Sequence, residues 1–297
     1  SFDRASFGEG ASFIRTKFSR LACFSGTRFR RGAIFDGSEF AGDATFLGTR
    51  FNVDASFERT RFAENTLFVE SAFEDGAWFT DAALGAGAEF CRSEFRGSAS
   101  FEGIQAGGSL RFSGAETGAR MFGGAKCVVN LENMILLRPG EVSFSLVNIE
   151  RISFFGTDLS KIIFEGVSWP EDKAGNLSFP GRIEAGSFEV RPGAASLTWL
   201  EGLCRQLREN FEARQNYTEA GEFRWAEMEY RRRRGLLRRQ GEGIAGLRER
   251  AWARLLGLYR MLGGYGVRTG SAFKGLFIAL VATIFLQGFL GVHHTAS

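Results

Sequence analysis

Few side chains in this 297-residue sequence have the type and spacing that catalysis or metal binding needs. The two histidines, His293 and His294, lie in the last five residues. Cys23, Cys91, Cys127 and Cys204 are scattered and form no C-x-x-C pair, so a zinc-type donor set of closely spaced Cys and His is not spelled out. They read as buried free thiols in a reducing compartment. The phosphate-cradling pattern G-x-x-x-x-G-K-[ST] is absent. General acid–base chemistry needs a carboxylate, His or Lys placed in a pocket. The carboxylates of the N-terminal third fall instead at outward or corner positions of a repeat. The reading is therefore of a protein that is not an enzyme, with no catalytic, cofactor-binding or metal-ligating residue assigned and no cofactor expected.

The elements that would position any site follow from the 32 Phe. One column runs Phe13, Phe24, Phe35, Phe46, Phe57, Phe68, Phe79, Phe90, Phe101 and Phe112, always eleven apart. A second runs Phe7, Phe18, Phe29, Phe40, Phe51, Phe62, Phe73, Leu84 and Phe95. Two residues before each sits a small side chain. It is mostly Ala in the first column (Ala33, Ala44, Ala55) and mostly Thr or Ser in the second (Ser38, Thr49, Thr60). Such an internal period is settled before anything else. An α-helix turns by about 140° over five residues, so the two columns would leave its core on different faces. In a strand, residues i−2 and i share a face. Each Ala-x-Phe or Thr-x-Phe is then a short inward-facing strand ending in a corner. Four strands make one square coil of 22 residues, and coils stack about 4.8 Å apart by parallel pairing.

The regular solenoid covers 1–112, blurs over 113–141, and resumes with Phe144, Ile149, Phe154, Leu159, Phe164 and Trp169 at a five-residue step. The solenoid is thus assigned to 1–169. Pro170, Pro180 and Pro192 mark 170–194 as a loop leading away from it. A helical hairpin is predicted over 195–234. Its first stripe is Leu200, Leu203, Leu207 and Phe211 with Ser196 as N-cap. Its second stripe is Ala220, Phe223, Glu227 and Tyr230, and its expected role is to cap the open solenoid end.

Charge is uneven. Residues 1–101 carry 12 basic and 14 acidic side chains, a balance of −2, whereas 231–274 carry 12 and 2, a balance of +10. The run Arg231–Arg232–Arg233–Arg234 opens a basic linker and interfacial helix over 235–270, with Trp252, Leu255, Leu256, Tyr259 and Leu262 as its apolar face. Residues 271–293 are expected to span a membrane once. Positions 275–292 hold no charge, and the arginines on the N-terminal side place the solenoid in the cytoplasm. The sequence starts at Ser1 rather than Met, as a fragment or processed form does, and shows no signal peptide.

The repeat over 1–169 resembles the pentapeptide-repeat proteins in their Phe-rich eleven-residue variety. The stretches SFFGTDLSKIIFEGVSW (153–169), YTEAGEFRWAEMEYRRRR (217–234) and LYRMLGGYG (258–266) resemble a membrane-attached bacterial subgroup. The resemblance implies a mainly β fold: a right-handed quadrilateral β-helix followed by an α-helical hairpin, an interfacial helix and one transmembrane helix. It also implies residence in the cytoplasmic membrane of a bacterium. Some members of the subgroup continue into a potassium-channel-like pore, but no filter motif is present here, and Tyr265–Gly266 precedes the apolar segment.

The function expected is a non-catalytic scaffold held at the membrane by lipid contacts of its C-terminus. Its protein partner is unknown, and self-association through the membrane helix to a homo-oligomer is part of the expectation. The alternative is the cytoplasmic domain and first membrane helix of a truncated channel. Mimicry of DNA requires a strongly negative rod, which −2 over 101 residues does not make. Nucleic acid is not the expected partner of the Arg run either, because a basic run beside an apolar span more often sets topology.

Overall fold

The computed structural model describes residues 1–115, 121–123, 127–180, 183–184, 187–188, 193–237, 243–266, 277 and 280–284. The chain divides into two compact units, Ser1–Arg191 and Pro192–Ser297.

The first unit is a β-solenoid of about seven turns with four parallel sheets of five, seven, six and seven strands. Strands one coil apart are paired, as in Ala33↔Ala55 and Ala55↔Ala77, Phe40↔Phe62, and Phe51↔Phe73. That register is 22 residues, the period expected from the Phe columns. Rings on the same face stack through the coils: Phe35 on Phe57 at 4.8 Å and Phe57 on Phe79 at 4.9 Å, nearly parallel. Opposite stacks meet edge to face, as in Phe57–Phe68 at 5.3 Å and 84°. This is the arrangement that ring quadrupoles favour. The rings from Phe24 to Phe112 in these stacks are essentially sealed from water.

The alternating gaps of five and six come from two kinds of corner. After each first-column Phe the chain makes a four-residue turn. The amide of Thr49 donates to the carbonyl of Phe46, and that of Thr60 to Phe57. The third turn residue has positive φ: Gly26, Gly37, Gly48, Arg59, Glu70 and Asp81 in succession. This is the type II pattern, in which glycine costs least. Arg59, Glu70 and Asp81 show that a polar side chain pointing to solvent is also accommodated.

The second-column small residues do more than leave room. The hydroxyl of Thr49 donates to the carbonyl of Phe24 at 2.7 Å, that of Thr60 to Phe35 at 2.8 Å, and that of Ser71 to Phe46 at 2.6 Å. Whereas the Ser38 hydroxyl donates to the Phe35 carbonyl of its own turn, each of these three turn carbonyls thus receives a second bond from the next coil, using its second lone pair. Ala would leave that carbonyl half-satisfied, which accounts for Thr and Ser in this column.

The blurred stretch 113–141 is a lengthened coil of the same sheets. Ala99 pairs Val129 and Gln105 pairs Ile135, both 30 residues apart, and Leu110 pairs Val142, 32 apart. Among the described residues a Phe95↔Phe122 bridge marks the remaining face, and the 3₁₀ turn Pro139–Glu141 precedes Val142. The following coil shortens: Phe144 pairs Phe164 at a spacing of 20, four faces of five residues.

The loop predicted for 170–194 does not simply leave the solenoid. Glu171 and Leu177 form an antiparallel bridge, and Phe179 is buried with its ring 6.0 Å from Trp169, which lies 5.2 Å from Phe164. Apolar residues at Leu177 and Phe179 carry the chain back over the last Phe stack. A two-stranded antiparallel pair, Ile183–Glu184 with Ser187–Phe188, follows.

The second unit contains three helices, α1 (Ala194–Ala213), α2 (Tyr217–Leu237) and α3 (Gly243–Gly263). α1 starts two residues before Ser196, with extended Gly193 as N-cap. Both predicted stripes of the hairpin are buried, and Phe211 stacks on Phe223 at 5.3 Å. No helix among the described residues is long and apolar enough to cross a membrane. The predicted span 271–293 lies outside the described residues except for Phe277 and 280–284.

Candidate functional site

Two parts of the molecule present side chains that the core does not use. The first is the outer surface of the solenoid, where the residue between two inward positions points out. On successive coils one face shows Lys17, Glu39, Arg61 and Ala83. Another shows Ser12, Ile34, Ser56 and Trp78. Oppositely charged residues one coil apart pair along the stack: Lys17–Glu39 at 3.3 Å, Arg92–Glu70 at 2.8 Å and Arg111–Glu89 at 3.2 Å. Their cations are exposed and their glutamates exposed or half-buried, so each contributes about 0–1 kcal/mol and leaves the position free to vary. Corner aspartates are more committed: Asp36, Asp43 and Asp54 accept backbone amides of Glu58, Asn65 and Gly76 from the next coil. One carboxylate departs from the outward pattern. Glu132 is buried and accepts from the Ser153 hydroxyl at 2.6 Å.

The second part is a glutamate–arginine hub in the helical unit. Three glutamates, Glu201 on α1 and Glu227 and Glu229 on α2, are buried. Glu201 takes Arg231 at 2.9 Å and Arg234 at 3.2 Å. Glu227 takes Arg205 and Arg208, each at 3.1 Å. Glu229 takes Arg232 at 2.7 Å, Arg233 at 3.0 Å and Arg260 of α3 at 3.5 Å, and its other oxygen accepts from the Tyr265 hydroxyl at 3.1 Å. Burial pushes the Glu229 carboxyl up, but the hydrogen bonds from Arg232 and Arg233 outweigh it and hold it below the ordinary value. Burial and the neighbouring Glu229 carboxylate push the Tyr265 phenol up to about 12.

The run Arg231–Arg234, read from the sequence as a basic flank facing lipid or solvent, is thus engaged with buried carboxylates. The helical spacing Glu229-x-x-Arg232-Arg233 (i, i+3 and i, i+4) was the signal available for part of this. The partner Glu201 is some thirty residues away and carried no such signal. Tyr265 adopts φ 59° between two glycines and folds the end of α3 back onto Glu229. That latch was invisible in the pattern. Around neutrality Glu229 is held ionised and Tyr265 protonated.

The thiols differ from expectation in part. Cys127 and Cys204 are buried, and burial pushes the Cys127 thiol up to about 11 and that of Cys204 well above its ordinary value. Cys23 and Cys91 are half-buried on the outside of the coils.

The family model described as pentapeptide repeats (9 copies) matches residues 2–50 and again, one eleven-residue unit on, residues 13–61. The coils over residues 2–61 match the pentapeptide-repeat family. No curated protein and no solved structure matches the chain. The pentapeptide-repeat match lies on coils whose Phe stacks and Thr bonds are described above. The resemblance of the later stretches to a membrane-attached subgroup finds no counterpart in these comparisons.

α3 presents a surface that neither part uses. Ala253 packs against α2, where Gly235 allows an approach so close that a Cβ there would lie 2.9 Å from the Ala253 side chain. The predicted apolar residues Trp252, Leu255 and Tyr259 are exposed, Trp252 by 55%, together with Leu247, Leu258 and Met261. Leu256 is half-buried towards α2.

Proposed function

We propose that the protein is a rigid, non-catalytic interaction scaffold, a pentapeptide-repeat solenoid held on a membrane by its C-terminal part. The observation that carries the scaffold reading is the division of labour in the coils. Stacked Phe and hydrogen-bonded Thr occupy the inside, while outward positions change freely from coil to coil without touching the core. A partner protein would read those outward columns on one or more faces.

Membrane attachment is supported by the side chains the helical unit leaves uncovered. α3 shows Trp252, Leu255, Leu258 and Tyr259 to solvent, with Arg254 among them, which is the composition of a helix lying at a lipid interface. Phe277, Leu280 and Ile284 in the apolar segment are also exposed rather than packed in a core. With Arg231–Arg234 engaged by glutamates, the orienting charge falls on the arginines of α3 and on Arg238, Arg239, Arg268 and Lys274. The channel-subunit alternative draws no support from the described residues. Alkaline carbonate extraction of membranes tests the anchor. The full chain should stay with the membrane pellet, and a chain ending at Gly266 should be released to a large extent. Release of the full chain would overturn membrane anchoring while leaving the scaffold reading in place.

A further inference from the structure

Beside the close crossing of α2 and α3 lies a cleft of about 360 Å³. Arg231 and Arg234 form its α2 wall with Met228. Glu249, Trp252 and Leu256 of α3 line the other side. Its floor is the Gly235–Ala253 contact. The two arginines are not neutralised in full. Among the described residues, Arg205, Arg208, Arg231, Arg232, Arg233, Arg234 and Arg260 converge on three buried carboxylates, Glu201, Glu227 and Glu229. Arg231 and Arg234 both draw on Glu201, Arg231 also reaching Glu227 at 3.6 Å, and 41% and 30% of their side-chain surface stays open. A guanidinium carries five donors in a fixed fork, so each keeps donors for an anion. The cleft therefore couples a surplus of positive charge to an apolar wall.

We propose that this cleft binds an anionic membrane lipid, a phosphate-type headgroup on Arg231 and Arg234 with its alkyl chain along Trp252, Leu256 and Met228. Glu249 confines the anion to the α2 wall. The lipid source rests on the membrane reading above; the cleft's preference for a charged head with an alkyl tail does not.

The test is calorimetric titration of the full chain in phosphatidylcholine nanodiscs, with heat from empty nanodiscs subtracted. The probes are octyl phosphate below its micelle concentration, inorganic phosphate and octyl glucoside. Saturable binding is expected for octyl phosphate, weaker by about tenfold or more for each partial probe. Trp252→Ala and Leu256→Glu, which touch none of the hub's ion pairs, should each weaken it by a similar factor. Arg234→Gln should do the same, and the two α3 variants decide the matter if that variant does not fold. Absence of binding, equal binding of inorganic phosphate, or binding indifferent to both α3 variants would overturn the proposal. If the chain does not enter nanodiscs, the anchor reading fails, and the same titration in plain buffer still tests the cleft.

Discussion

At the scale of the residue, the inside of the solenoid is specified twice, once by volume and once by polarity. Phe57 has parallel neighbours above and below and three edge-to-face neighbours, Phe46, Phe51 and Phe68. Phe57→Ala should therefore cost about 3–5 kcal/mol, the range for emptying a well-packed aromatic site, read as a lowered midpoint in chemical denaturation. A neutral result would mean the columns do not face inward. Thr49 tests the polar half of the rule. Its hydroxyl is sealed from water and serves the Phe24 carbonyl. Val has nearly the same shape, so Thr49→Val should lose about 0.5–1.5 kcal/mol, because the Phe24 carbonyl keeps only its bond from the Thr27 amide. If size alone governed this column, the variant would be as stable as the parent. Thr66 provides the contrast: it stands in the Ala column and its buried hydroxyl has no partner.

At the scale of the element, coils and hairpin were legible in the sequence because both have a period. The Phe columns fix strand register to the residue, since 22 is both the sequence period and the pairing step. Even the five-residue step after Phe144 translates directly into a coil of 20. What the pattern could not carry was pairing across long separations. Nothing periodic links Glu201 to Arg231, or Tyr265 to Glu229. Trp169 and Phe179 likewise meet across a proline-containing turn. The same contacts make the helical unit sensitive to pH from both sides. Glu229 has a lowered carboxyl pKa, so its contribution is present above the ordinary carboxylate value and is lost as pH falls through the folded one. Tyr265 is raised from 10 to about 12, so its contribution is present below pH 10 and is lost as pH rises toward 12. Hydrogen exchange of the α2 amides should accelerate over that alkaline window. Tyr265→Phe should start from a less protected state and show a flatter alkaline response. An unchanged alkaline response in the variant would remove Tyr265 from the hub.

At the scale of the whole molecule, the interior of the solenoid serves folding and its exterior is free to vary. The outward columns differ among faces while the core under them repeats, so a partner would be recognised by one face rather than by the repeat itself. The arginines of 231–234, which the charge count alone would have assigned to the lipid surface, are half-buried or exposed and are tied to buried carboxylates of the helical unit. This shifts the expected membrane contact to α3 and the segment after it. The most direct test of the scaffold claim is photo-crosslinking in native membranes from one exposed position on each face: Ile34, Arg50, Arg61 and Arg111. The account predicts a discrete adduct from one face or adjoining faces, competed away by excess purified chain, with the other faces silent. No competable adduct from any of the four positions would contradict it.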